Sequence, residues 1–333
     1  MKRTTNMSCR LLARGVLVLG LALGTLPAIA AETWNFYEYY PAVNASVRRL
    51  QVMVEEINKV AGPDLNVRMH LGGSLQIDAS NITQAVADNV VQMGDDAFFT
   101  GNIPIAGALR LPTLISGYDE FAKAQTVVDP ILEAAYKKKG VLVLGRYHYP
   151  PQTLWSRKKL TSLADLKGQK MRVQSPEQAE FVRRFGGSSV TISTAEVSPA
   201  LERGVVDGVL TASAGGGVLW KDLLKYNYRL VVNFADNVLI VNTEAFEKLP
   251  ADTRAKVRKI VADAAPAVTK ALRDDEDDQT KKMIASGIIV TQPIPEDIAK
   301  AQAELTSYWD SWAKARSPEA VETVAKLRKT LGR

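Results

Sequence analysis

What constrains this chain most is a rhythm: short apolar or alternating runs, each followed by a stretch of helical periodicity, repeated over most of its length. Thr33-Trp34-Asn35-Phe36-Tyr37 alternates as a strand does. Ser46 to Val60 then places Val47, Leu50, Val54, Ile57 and Val60 on one helical face, with Glu55, Glu56 and Lys59 between them. After the turn at Gly62-Pro63-Asp64, Leu65 to His70 alternates again. Ile77 to Val91 and about Tyr118 to Lys138 read as helices, and Ala97-Phe98-Phe99 lies near a strand end. Val141-Leu142-Val143-Leu144 is a strand of the fully buried type. A chain that alternates in this way builds mostly parallel sheets covered by helices, an α/β fold.

The rhythm restarts after Pro150-Pro151. Strands are expected at Leu154-Trp155-Ser156, Lys170 to Val173, Thr191 to Ser193, Gly208 to Thr211 and Val238 to Val241. Helices are expected from near Pro176 to Phe185, where Gly186-Gly187 stops the chain, and around Ala195 to Arg203. From Pro250 onward the chain is mostly helical, to about Gly287 and again from Pro295 to the end. Within that stretch Asp274 to Asp278 form an acidic knot, read as a solvated helical face. So long a chain exceeds what one hydrophobic core supports, and two lobes are the expected outcome.

The N-terminus is a different kind of segment. Lys2, Arg3, Arg10 and Arg14 precede an apolar run from Gly15 to Leu26, Pro27 breaks it, and Ala28-Ile29-Ala30 supplies a small-x-small cleavage pattern. This is a secretory leader, expected to be cut after Ala30, and its run is too short for the ~20 residues that span a bilayer. Cys9, the only cysteine, lies inside the leader. The expected mature chain therefore lacks disulfides, cysteine nucleophiles and cysteine metal sites. With His70 and His148 as the only imidazoles, no metal site and no cofactor are expected. The formal charge of +6 comes from 42 basic and 36 acidic residues. Removing the four basic residues of the leader leaves 38 against 36, or +2, so nothing points to nucleic acid.

Four short segments together resemble the extracytoplasmic solute receptors of TRAP transporters. Leu163-Ala164-Asp165-Leu166-Lys167-Gly168-Gln169-Lys170-Met171-Arg172-Val173 is similar to the family's DLKG-x-K-x-R-V segment. Ala200-Leu201-Glu202-Arg203-Gly204-Val205-Val206-Asp207-Gly208 is similar to its AL-x-x-G-x-V-D-G turn. Leu111-Pro112-Thr113-Leu114 is a third match, and Val241-Asn242 with Phe246 and Leu249-Pro250 a fourth. The resemblance covers essentially the whole mature chain. It implies two α/β lobes joined at a hinge, braced by a long helix, with the solute held between them. On this reading residues 31–150 with about 235–285 form the first lobe and 151–234 the second, while helices over about 286–333 pack across both. It also implies a periplasmic receptor, not an enzyme, that captures a small organic acid and passes it to TRAP membrane permease subunits; the alternatives are a receptor for an ABC importer or a sensor, or a periplasmic enzyme on the same scaffold. A monomer is expected.

Arg172 is the leading site residue. It interrupts an otherwise apolar strand, where a guanidinium is costly without a partner, and its planar fork matches a carboxylate. The resemblance gives the arginine at this position the role of carboxylate clamp. After Gly208 the chain departs from the family pattern, with Thr211 and Ser213 offering hydroxyls and Gly215-Gly216-Gly217 allowing close backbone approach. At the lobe junction Tyr149, Gln152 and Trp155 either line the cleft or pack. Tyr39, Asp95 and Phe98 are candidates in the first lobe, where the aromatic excess suits an acid with an apolar or ring-like part. His70 and His148 have no local catalytic partner, and both read as packing or surface residues.

Overall fold

The computed structural model describes residues 31–192, 194–213 and 215–333. The expected leader, residues 1–30, lies outside them, as do Ser193 and Ala214. The chain builds β1 (Glu32–Glu38), α1 (Ala45–Ala61), β2 (Leu65–His70), α2 (Ile82–Ala87), β3 (Met93–Asp96), α3 (Tyr118–Lys137) and β4 (Val141–His148). It then forms β5 (Gln152–Ser156), β6 (Lys170–Val173), α4 (Pro176–Arg184), β7 (Ser188–Thr191), α5 (Thr194–Glu202), β8 (Gly208–Thr211) and β9 (Tyr226–Asn233). Last come β10 (Asp236–Asn242), α6 (Thr243–Lys248), α7 (Ala251–Ala285), β11 (Ile289–Thr291), α8 (Pro295–Lys314) and α9 (Pro318–Thr330).

Two sheets result, in the orders β2-β1-β3-β10-β4 and β11-β9-β5-β8-β6-β7, each the heart of one α/β lobe. They are more mixed than the alternation implied. β10 is antiparallel to both β3 and β4, and β5 is antiparallel to both β8 and β9. The reason is connectivity: β5 and β10 follow the two short crossings between the sheets, from β4 and from β9, and each runs against its neighbours. The two crossings touch, with Tyr149 N–H donating to Ala235 O at 2.8 Å. A third segment ties in where Thr113 N–H donates to Val232 O at 2.7 Å.

Local chemistry sets most element ends. Asn44 caps α1 by accepting from Ser46 N–H at 3.0 Å, and Val47, Leu50, Met53, Val54 and Ile57 bury its apolar stripe. α2 is shorter than the expected Ile77–Val91 helix: Asp78 starts a 3₁₀ turn over Ala79–Asn81 instead, and Asn89 at φ 56° ends the segment. The C-terminal helical stretch divides into α8 and α9, because Ser317 caps a new helix with Pro318 in its first turn. β9 was not legible in the sequence. Its buried Asn227 and Asn233 mask the alternation, and Asn227 spends its amide on Thr153 Oγ1 and Leu154 O, both at 3.1 Å.

Trp34, Phe36, Leu50, Ile57 and Leu239 with Val257 and Val261 of α7 form one core, and Trp155, Val197, Leu201, Val209 and Trp220 another. The third runs through both lobes and the C-terminal helices, from Phe121 and Leu154 to Phe181, Trp309 and Leu327. α8 fastens to both sides: Trp309 Nε1 donates to Pro112 O and Trp312 Nε1 to Glu177 Oε1, each at 2.9 Å. At 35 residues α7 is about 50 Å long at ~1.5 Å per residue. It lies on α1 and β4 and then reaches Arg229 of the second sheet through Glu276, 2.9 Å away. Glu276 thus departs from the solvated reading of the acidic knot; it is buried, because it sits on the inward stripe of the helix. Among the described residues no helix is long and apolar enough to cross a membrane.

Candidate functional site

The two motif segments of the second lobe act as scaffolding for one side chain. Asp165 accepts from Thr161 and Ser162 N–H, so the turn before β6 closes on itself, and Gly168 takes φ +78°, which an L side chain resists. Asp207 then ties β6 to the start of β8: Lys170 N–H donates to its carboxylate at 3.0 Å, and its own N–H donates to Lys170 O at 2.7 Å. Gly208 is required there, since a Cβ would lie 2.1 Å from Trp155 O. The register that follows pairs Met171 with Gly208 and Arg172 with Val209. Arg172 is thereby placed near the carboxyl end of a central strand, where open α/β sheets hold ligands.

Arg172 is 4% exposed, its Nε donates to Ile192 O at 3.0 Å, and its guanidinium stands 5.7 Å from the Trp220 ring centroid. Among the described residues no carboxylate forms an ion pair with it. Burial pushes its pKa down to about 10, opposed only by Tyr40, which follows β1 in the other lobe. A buried cation without a counter-charge is expensive.

Tyr40 belongs to a cluster of aromatic rings. Tyr39 and Phe98, 37% and 40% exposed, stand edge-to-face at 5.9 Å, and Tyr40 lies 5.7 Å from Tyr39 and 6.0 Å from Tyr149. Tyr149 is held by Ser46 Oγ at 3.1 Å and Asn44 Nδ2 at 3.2 Å, and burial pushes its phenol well up. Beneath the rings, Glu38 and Asp95 are register partners on adjacent parallel strands, exposed by 0% and 1%. Glu38 Oε1 accepts from Tyr40 N–H at 2.8 Å, while no N–H or hydroxyl reaches its Oε2. Asp95 accepts from Tyr147 Oη and, at 3.0 Å, from Asn237 Nδ2. Burial and the neighbouring Asp95 raise Glu38 well above the usual carboxyl range, and burial raises Asp95 as well, against the hydrogen bonds it accepts.

The remaining sequence candidates divide. Gln152 is buried at the junction, its amide donating to Pro150 O at 3.2 Å and accepting from Gln174 Nε2 at 3.4 Å. Thr211 Oγ1 accepts from Gly216 N–H at 3.0 Å, which folds the glycine-rich segment back over the end of β8. Ser213 is fully buried, and its hydroxyl accepts from Arg229 Nη1 at 2.7 Å and Thr280 Oγ1 at 3.1 Å, toward α7. Trp155 is fully buried in the second-lobe core with its indole N–H on Thr211 O at 3.0 Å. The structure therefore brings Tyr39, Phe98, Tyr149 and Asp95 together around Tyr40, while Trp155 and Ser213 have their polar atoms engaged by protein. Sequence reasoning did not single out Glu38, Trp220, Tyr147 or Asn237. Only Glu38 carried a signal, an acid at the end of an apolar strand.

Neither histidine enters this cleft. His148 packs 4.4 Å from Phe121, and burial pushes its pKa down, while His70 Nε2 meets Asn35 Oδ1 at 2.9 Å. The motif residue Asn242 is an element cap: Ala245 N–H donates to its Oδ1 at 2.9 Å, and its Nδ2 donates to Val86 O.

Residues 38–315 match the model of bacterial extracellular solute-binding protein, family 7, also called DctP. The C4-dicarboxylate-binding periplasmic protein DctP of Rhodobacter capsulatus is 23% identical over 319 residues, 93% of this chain and 95% of that protein. A solute-binding protein of Sulfitobacter sp. NAS-14.1 is 25% identical over 263 residues, 76% of this chain and 78% of the relative. Among solved structures, DctP6 of Bordetella pertussis, an extracytoplasmic solute receptor binding pyroglutamic acid, superposes with a TM-score of 0.82. It is 25% identical, and the match covers 90% of this chain and all of that one. A family match over most of the chain, with a two-lobed α/β fold, leads to one assignment: this chain belongs to the bacterial extracellular solute-binding proteins of family 7.

Proposed function

We propose that the cleft captures a small organic acid, with the ligand carboxylate on Arg172, and that the loaded receptor delivers it to the membrane subunits of a TRAP-type transporter. The observation that carries this reading is the buried Arg172 guanidinium, which among the described residues has no carboxylate partner and is acted on by Tyr40 of the other lobe. An anion that also contacts Tyr39, Tyr40 or Phe98 touches both lobes, and only such a ligand shifts the balance toward the closed form. Pyroglutamate in the relative DctP6 is an acid of this kind, a carboxylate on a small ring. Gln152 and Tyr149, at the crossing between the lobes, complete the proposed lining, with Thr211 shaping the segment that covers it. Residues 31–150 with about 235–285 and residues 151–234 are the proposed lobes, tied by the helices of about 286–333.

The solute leaves unchanged in this reading; the receptor works as a monomer in the periplasm after its leader is cut near Ala30. The test is a thermal-shift screen of refolded, solute-free protein against small acids, sugars, amines and amino acids. A ligand at a hundred times its Kd adds about 2.7 kcal/mol, several degrees of melting temperature. Hits among carboxylates support the proposal; hits confined to sugars or amines overturn it.

A further inference from the structure

We infer that a cavity at the edge of β9 is a second binding site, separate from the Arg172 cleft, for a short-chain aliphatic carboxylate. The cavity measures about 230 Å³, and its walls come from three places: Thr113 and Ser116 before α3, Arg229 to Val231 of β9, and the stretch from Pro293 to Ile298 that opens α8. Strand register creates it. β11 pairs with β9 only from Tyr226 to Tyr228, because Pro293 follows shortly and has no N–H with which to extend the ladder. Beyond that, Thr113 N–H donates to Val232 O at 2.7 Å, which leaves Arg229, Leu230 and Val231 between β11 and the first-lobe loop. β6, which carries Arg172, lies three strands away in the order β9-β5-β8-β6, about 14 Å at the usual strand spacing.

The walls hold groups that the fold leaves unanswered. Thr113 belongs to the Leu111-Pro112-Thr113-Leu114 segment, which has no part in the Arg172 cleft. It takes φ 58°, a conformation that a β-branched residue resists, and its buried hydroxyl meets no partner. All of the hydrogen bonds of the Arg229 side chain use Nη1, the shortest to Ser213 Oγ at 2.7 Å and Glu276 Oε1 at 2.9 Å. Among the described residues its Nε and Nη2 have no acceptor. The surrounding charges balance. Glu276 answers Arg229, and Glu120 answers Arg333, which also holds Ser116 Oγ at 3.0 Å. Arg273, 4.0 Å from the Tyr118 ring, and Asp277 add one charge of each sign. On that even background a carboxylate supplies what the wall lacks, two oxygens in a plane that matches a guanidinium edge. Leu230, Pro293 and Ile298 provide apolar surface for a short hydrocarbon chain. An occupant touches the first-lobe loop, the second sheet and α8, the helix that fastens to both sides.

The experiment is methyl NMR of solute-free wild-type protein, titrated with isovalerate and with isovaleramide, which has the same skeleton and no charge. Isovalerate is expected to shift the methyls of Leu230, Val231 and Ile298 with a Kd of about 1 mM or tighter. Isovaleramide is expected to bind there at least about 5-fold more weakly. The methyls of Ile192, whose carbonyl accepts from Arg172, report the cleft separately, so the organic-acid reading stands or falls on a different signal. Gln302→Trp fills the cavity from α8, and among the described residues the Gln302 side chain makes no hydrogen bond that the change would break. The variant is expected to lose the shifts at Leu230 and Val231 and to keep any shift at Ile192. Isovalerate shifts confined to Ile192, no shift at the three cavity residues, equal binding of acid and amide, or cavity shifts that survive in folded Gln302→Trp overturn the inference. Should that variant not fold, the wild-type titrations decide alone, by where the shifts fall and by the ratio of acid to amide affinity.

Discussion

Replacing Arg172 with alanine separates its role in the empty protein from its role in the loaded one. In the empty protein the guanidinium is 4% exposed and its pKa is depressed by burial to about 10, which corresponds to roughly 3 kcal/mol of desolvation that no counter-ion returns. The sign follows directly. The charged form is the one penalised, so the cost is present at every pH below about 10 and fades only above it. Against that cost stand one hydrogen bond to Ile192 O, worth about 1 kcal/mol, and a contact with Trp220, worth about 1 kcal/mol. Arg172→Ala is therefore expected to leave the stability of the empty protein unchanged or to raise it by about 1 kcal/mol, despite a deletion in a buried place. In the loaded protein the same change leaves a carboxylate buried without its cation, a loss of about 2–5 kcal/mol, or about 30-fold to several thousand-fold in Kd. Urea unfolding of solute-free protein measures the first quantity and calorimetry with an acid found by the screen measures the second. An empty protein destabilised by more than about 2 kcal/mol, with ligand affinity intact, would show that Arg172 holds the fold and would refute the argument.

Other outcomes follow from the same reasoning. Arg172→Lys keeps the charge but loses the planar fork, so calorimetry should place its affinity between wild type and Arg172→Ala. Asp96 is raised to about 6 by burial, so its carboxylate costs stability as pH rises from about 4 through 6; Asp96→Asn should flatten that part of the stability–pH curve and be more stable by about 2–3 kcal/mol at pH 7. A wild-type slope retained in the variant would exclude Asp96 as its source. Gly208→Ala meets Trp155 O at 2.1 Å and should destabilise by about 3 kcal/mol or more in urea unfolding. Glu276→Gln breaks the α7–Arg229 ion pair and should cost about 2–4 kcal/mol. No loss there would mean that α7 is held to the second sheet by packing alone.

The sequence by itself determined the class of fold, because a strand or helix writes its period into the residues it must bury. It also determined the second-lobe scaffold, where Gly168, Asp207 and Gly208 are the side chains that the turn and register require. Arg172 was legible for a related reason: an arginine in an apolar strand has to be answered by something. Only the tertiary structure decided the rest. Whether Trp155 or Ser213 spends its polar atoms inside the protein depends on Thr211, Arg229 and Thr280, groups distant in sequence. The reversed direction of β5 and β10 follows from where the chain crosses between sheets, which no local period records. The Glu38–Asp95 pair arises because β1 and β3 lie side by side. Neither residue's neighbours in the chain specify that contact.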